Sequence, residues 1–366
     1  MAFVPRTMRA ATVVRRAGSS AFEITNQPVP TPGPTDILLR LAVTGVCGTD
    51  MSMAAGKMGP TKNILGHEGV GYVVQLGEGV PKGQVKLGDR VGVAWLRDVC
   101  RICAYCLHPG GETRCQEQLN SGREIDGTFA QYALVPYRYL LLLPKSISAP
   151  DEMVAPVLCG GVTAYTALKH ARIVPGQWVA ISGAGGGVGS LGVQYAKAMG
   201  YRVIAIDVGD LKREFCLQSG AEHFIDATIT PDLRGEVMAI TDSLGVSSCI
   251  VSATSATAYT AALDILAPFG SLVCIGIPPL DQVVSFHPLL LIDRGIKIVG
   301  SSVGTHQEML EAIRFVERGL VKPVINLRLL DDLPGIGSEF LQAVGKFVIR
   351  FEDDGFSANG RSTGNL

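Results

Sequence analysis

From Trp178 onward the apolar and polar positions fall into a regular alternation. Trp178-Val-Ala-Ile-Ser182 is a short apolar run, the pattern of a strand covered on both faces of a parallel sheet. A helical stretch through Ala164 to Ala171 leads into it, and a glycine turn follows it. Next come a helix over 189–199, a strand over 202–207, a second helix over 211–219 and more of the same past Leu272 to Gly276. This rhythm predicts a doubly wound parallel sheet. Residues 8–46 read differently, as apolar runs broken by Gly and Pro, with Pro28, Pro30, Pro32 and Pro34 close together. They predict short strands of an irregular β domain, and the texture continues to about residue 145. From about Lys297 the alternation gives way to a helix over 307–319 and mixed short elements, which suits a return to the first domain. No internal repeat is visible. At 366 residues the chain is long for one core. The expected fold is α/β in two domains, 1–156 with 300–366 and 157–299.

Composition narrows the partners. Forty-seven per cent hydrophobic residues, 18% charged and 44 glycines describe a globular chain with much buried strand. A net charge of -1 offers no basic footprint for nucleic acid or an anionic membrane, so a small-molecule partner is expected. Met1 to Ala10 carries no secretory pattern, and no window of about eighteen apolar residues occurs. The protein is expected to be soluble and cytoplasmic. The last dozen residues, Gly355 to Leu366, are rich in Gly, Ser, Asn and Thr and are expected to be mobile.

The turn Gly183-Ala184-Gly185-Gly186-Gly187-Val188-Gly189 lies between a predicted strand and a predicted helix. Backbone N–H groups at such a helix start point at an anion, and side chains would hold a pyrophosphate away. The strict GxGxxG spacing is not met, because Ala184 stands where its first glycine belongs. Asp207 strengthens the reading. It ends the next predicted strand, where a carboxylate accepts from both adenosine ribose hydroxyls and repels a 2′-phosphate, so NAD is expected over NADP.

The nine cysteines are not distributed like a disulfide framework. Cys100, Cys103, Cys106 and Cys115 follow the spacing of a closed tetrahedral site with no position left for substrate, the mark of structural zinc. Cys47, His67 and Cys159 are dispersed. One at a time, each reads equally as a buried thiol, a satisfied histidine or a ligand, and spacing does not connect them.

In this order the segments Gly45-Val-Cys47-Gly-Thr-Asp50, Gly66-His-Glu-Gly-Val-Gly71 and Ala155-Pro-Val-Leu-Cys-Gly160, with the four-cysteine loop and the glycine turn, resemble the medium-chain zinc-dependent alcohol dehydrogenases, more closely their tetrameric microbial branch. The resemblance runs from about Met8 to Phe351. It implies a GroES-like catalytic domain beside a Rossmann domain, two zinc ions per chain, NAD(H), an alcohol or aldehyde substrate and a homotetramer. It implies that Cys47, His67 and Cys159 hold the catalytic zinc, that Glu68 is a carboxylate able to approach the metal, and that Asp50 orients His67. The four-cysteine loop is one residue longer than the family pattern, and the extra residue is expected to bulge without changing ligation. Three such ligands leave a fourth position where Zn²⁺ acidifies an alcohol or polarises a carbonyl.

The resemblance also places Thr49 as the hydroxyl that passes the alcohol proton onward and Trp95 as a bulky pocket residue, a generic core tryptophan being the alternative. Lys212 matches a lysine near the adenosine ribose, or is a helix-surface lysine. There are departures. Ser52 stands where the family commonly has the histidine that ends the proton relay, so the proton must leave through water or another group. Gly48 replaces a cation, and Gly345-Lys346 replaces a Gly-Arg segment at the cofactor pyrophosphate, which is expected to loosen cofactor binding. Two other readings stay open: an NADH-dependent reductase of another polarised double bond, such as an activated alkene or an imine, and a non-catalytic zinc and nucleotide binding protein used for assembly.

Overall fold

In the computed structural model, residues 4–16 and 19–352 are described. The chain divides into two compact units, 1–159 with 325–366, and 160–324.

The second unit is a six-stranded parallel sheet. Its strands, Trp178–Ser182, Arg202–Asp207, His223–Asp226, Val246–Val251, Leu266–Cys274 and Lys297–Gly300, lie in the spatial order third, second, first, fourth, fifth, sixth. That is the order of the Rossmann fold, whose crevice opens where the direction of winding reverses. The first strand is buried at every position, as its unbroken apolar run requires. The helix Gly189–Ala198 follows the glycine turn and the helix Asp210–Ser219 follows Asp207. The strand Leu266–Cys274 is an inner one, since Lys297–Gly300 pairs outside it and forms the edge.

The first unit centres on the strand Asp36–Val46, almost wholly buried and flanked by Gly69–Leu76, Tyr132–Pro136 and, from the far end of the chain, Lys346–Arg350. Arg90–Val93, Leu141–Leu142 and Ile325–Leu329 complete this sheet. The strands Thr7–Arg16 and Ser19–Pro28 pair antiparallel from Thr7 opposite Pro28. They are ten residues each, longer than the short strands expected, because the prolines begin only where the second of them ends.

The return to the first unit comes at residue 325, not 300. The helix His306–Glu317 stays with the parallel sheet because Phe315 joins Tyr165 and Tyr195 in an aromatic cluster with centroids 5.7 Å apart. The Tyr195 hydroxyl donates to the Ala312 carbonyl, and Tyr165 and Lys169 both donate to Glu311. Among the described residues no helix is long and apolar enough to cross a membrane. The expectation for Gly355 to Leu366 lies outside the described residues.

Candidate metal centre and cofactor turn

Cys47 follows the central strand directly, at the start of the helix Gly48–Ala54. Asp50 sits on the first turn of that helix, fully buried, and gathers the site. It accepts from the Cys47 N–H at 2.9 Å, from the Gly66 N–H at 3.0 Å and from the His67 ring at 2.9 Å. With Nδ1–H committed to Asp50, His67 presents Nε2, 3.2 Å from the Cys159 sulfur, and the Cys47 and Cys159 sulfurs are 3.9 Å apart. The donor atoms of Cys47, His67, Glu68 and Cys159 lie within 4.8 Å of one another, and all four residues are buried.

Four buried donors at this separation, three of them nitrogen or sulfur, are the chemistry of a zinc site. The hydrogen bond with Cys159 takes the Cys47 thiol well below its ordinary pKa, while the same contact and burial raise Cys159. Burial alone would lower His67, but the charge and hydrogen bond of Asp50 raise it well above its usual value. Burial pushes the Glu68 carboxyl up to about 7 against the pull of Lys346. Its Oε1 lies 2.5 Å from the Lys346 ammonium, and its Oε2, also buried, has no hydrogen-bond partner among the described residues. An unpartnered carboxylate oxygen inside a donor cluster fits a cation.

Cys100, Cys103, Cys106 and Cys115 converge in the same way. The N–H groups of Cys103 and Cys106 each point at the sulfur three residues earlier at 3.4 Å, as the Cys100 N–H does at Cys115. Backbone donors, first among them those of Ile102 and Cys103, lower the Cys100 thiol to about 7, toward the thiolate a metal takes. The loop between Cys106 and Cys115 includes a helical turn at Gly111–Arg114, and all four sulfurs meet. Gly111 allows it: a Cβ there would lie 1.9 Å from the Tyr105 carbonyl oxygen.

In the second unit the glycine turn is shaped by close approach. Gly183 takes φ +77°, and a Cβ on Gly189 would lie 2.1 Å from the Gly183 oxygen, so the first helical turn packs directly on the strand end. Gly186 donates back to the Gly183 carbonyl, and Val188 already accepts from the Gly192 N–H inside the helix. Gly185 lies beneath the Lys212 stem, which leaves no room for a Cβ, and Gly187 is carried in the same turn. Asp207 Oδ2 accepts from the Gly185 N–H at 2.8 Å, while Oδ1 meets the Val208 N–H and the Lys212 ammonium at 3.0 Å. Beside them opens a cavity of about 440 Å³ lined by Gly183, Asp207, Thr228, Ala253 and Ser255 among others.

The chain matches family models for the alcohol dehydrogenase GroES-like domain over residues 33–145 and for zinc-binding dehydrogenases over residues 187–318. It is 41% identical to alcohol dehydrogenase 1 of Emericella nidulans over 89% of this chain and 93% of that one. It is 40% identical to an alcohol dehydrogenase of a Moraxella species over 93% and 99%. The chain belongs to the zinc-dependent medium-chain alcohol dehydrogenases. Among solved structures, the alcohol dehydrogenase of Aeropyrum pernix superposes with a TM-score of 0.82 at 28% identity, covering 93% of this chain and 99% of that one. The acetophenone reductase of Geotrichum candidum, determined with NAD, gives 0.83 at 27%, covering 96% and 99%. The two donor clusters and the glycine turn of this alcohol dehydrogenase fit zinc and NAD(H).

The remaining residues singled out in sequence are placed as follows. Trp95 stands edge-on to the His67 ring at 5.4 Å and 81°, beside the donor cluster. Thr49 and Ser52 are half-buried on the helix that carries Asp50, and Gly48 is exposed. Lys212 is ion-paired with Asp207 instead of free on the helix surface. Lys346 departs from its expected place. The structure turns it inward, 5% exposed, onto Glu68, because a carboxylate buried to that degree needs a cation more than the surface does. This pairing, 278 residues apart in sequence, had no local signal.

Proposed function

We propose that the enzyme interconverts a primary or simple secondary alcohol and its carbonyl partner with NAD(H), using Cys47, His67 and Cys159 as an open three-ligand zinc site. The observation that carries this reading is the buried donor cluster with one carboxylate oxygen of Glu68 unpartnered beside it. Zinc bound there supplies Lewis acidity toward the alcohol or carbonyl oxygen, and NAD(H) takes or gives the hydride. Asp50 fixes the His67 tautomer and the Cys47 backbone, Trp95 narrows the space beside His67, and Thr49 hands on the hydroxyl proton. Ser52 cannot titrate as the usual histidine does, so the proton leaves through water. Cys100, Cys103, Cys106 and Cys115 hold the structural zinc.

Asp207, with the turn 183–189, is proposed to bind the adenosine end of NAD, with Lys212 steadying the carboxylate. Nine cysteines free of disulfides suit a reducing cytoplasm. A homotetramer is proposed on the exposed apolar side chains Ile277, Leu280, Val283, Ile292 and Ile298 around the edge strand Lys297–Gly300. The test is metal content with an NAD-linked alcohol screen. Two zinc per chain are expected, and Cys159→Ala should keep the structural ion, lose the other and lose turnover. A Cys159→Ala variant as active as the unaltered enzyme would refute the mechanism. The Ser52 substitution also suits a reductase of another polarised double bond, and NADH-dependent reduction that survives selective loss of the catalytic zinc would favour it.

A further inference from the structure

Gly45 lies on the central strand two residues before Cys47, opposite Val348 in the register, and its N–H donates to the Glu68 carbonyl at 2.9 Å. Its φ is not in the left-handed region, so the backbone there admits any residue. The need for glycine comes from Glu68. A Cβ on Gly45 would lie 2.0 Å from Glu68 Oε2 and 3.0 Å from both its Cβ and its carboxyl carbon. The Glu68 side chain therefore lies across the bare Cα of Gly45, with Oε1 on the Lys346 ammonium and Oε2 against the glycine. The same carboxylate is within 4.8 Å of the Cys47, His67 and Cys159 donor atoms.

We propose that Gly45 is a positioning residue: the space left by its missing side chain is where Glu68 rests its carboxylate beside Lys346, so that only Cys47, His67 and Cys159 close on the metal. The inference rests on the zinc-dehydrogenase reading of those three residues. A methyl group at position 45 removes the resting place. The displaced oxygen is buried and already lacks a partner, and the donor cluster that would hold the metal lies within 4.8 Å. Glu68 then becomes a fourth ligand and takes the position that substrate needs.

The test is Gly45→Ala in the zinc-loaded enzyme, read by three measurements. Release of the catalytic zinc to a chelator should slow about tenfold, kcat should fall roughly 10–100-fold, the range for changes around metal ligands, and the visible bands of the Co²⁺-substituted site should shift as a carboxylate replaces water. Release of the four-cysteine zinc should not change. Glu68→Asp shortens the carboxylate by one methylene, so Gly45→Ala made on that background should be silent in all three measurements. An unchanged or faster release with an unshifted cobalt spectrum overturns the proposal. If Gly45→Ala does not fold, a folded Gly45→Ala/Glu68→Asp double variant matching Glu68→Asp upholds the steric link, and a double variant that also fails to fold overturns it. Should the unaltered enzyme hold only the four-cysteine zinc, the reading of the cluster falls. Should it hold two and Gly45→Ala leave the second unaffected, only the role of Gly45 falls.

Discussion

Asp50 binds three parts of the donor cluster together. One carboxylate fixes the backbone before one sulfur, the backbone before the imidazole and the imidazole itself. Asp50→Asn keeps the shape but loses the charge and one acceptor, so affinity for the catalytic zinc should drop roughly 10–100-fold, seen as one zinc per chain in place of two after dialysis. On the cofactor reading proposed above, Asp207 would set a different choice. Both its oxygens are held in place by Gly185, Val208 and Lys212, and a 2′-phosphate brought to it would meet a fixed negative charge. Asp207→Gly should raise kcat/KM with NADP relative to NAD by roughly tenfold or more, because juxtaposed like charges cost several kcal/mol; an unchanged ratio would show that Asp207 does not discriminate. Asp207 stood out at the end of the second strand of a predicted βαβ unit, whereas Asp50 and the dispersed Cys47, His67 and Cys159 were reached only through the resemblance, because spacing does not connect them. The place of Lys346 was not legible. Nothing local shows that a lysine near the C-terminus neutralises a carboxylate next to His67, because that contact exists only once two distant strands pair with the central one.

Among elements, the turn from Trp178–Ser182 into Gly189–Ala198 is the least tolerant. Strand and helix are separated by so little that Gly189 cannot carry a side chain. Gly189→Ala should cost about 1–3 kcal/mol through overpacking, a fall of several degrees in Tm, with NADH affinity lowered alongside. Calorimetry with and without NADH measures both. The strands around this turn were read to the residue at 178–182 and 202–207, since strands buried on both faces are nearly all apolar and end at Gly, Asp or Arg. The domain boundary was not. The periodicity over 307–319 identified a helix correctly, yet a helical period cannot say which sheet the helix covers. Tyr165, Tyr195 and Phe315 decide that, and they are far apart in sequence.

Across the whole molecule, exposed apolar side chains include Ile298 on the edge strand Lys297–Gly300 of the parallel sheet and Ile292 on the helix before it. Ile298→Lys should therefore lower the assembly state in light scattering while each chain keeps its fold and both zinc ions; an unchanged mass would place the contact elsewhere. The order in which the parts are made has its own consequence. Residues 160–324 form one uninterrupted stretch, whereas the central strand of the other unit waits for Lys346–Arg350 to complete its flank. On a ribosome residues 160–324 can therefore finish while the other unit still has an open seam, and Glu68 stays without its counter-charge until Lys346 emerges. A product terminated between residues 324 and 346 would carry the four-cysteine lobe and the parallel sheet but lack the strand that brings Lys346 to Glu68.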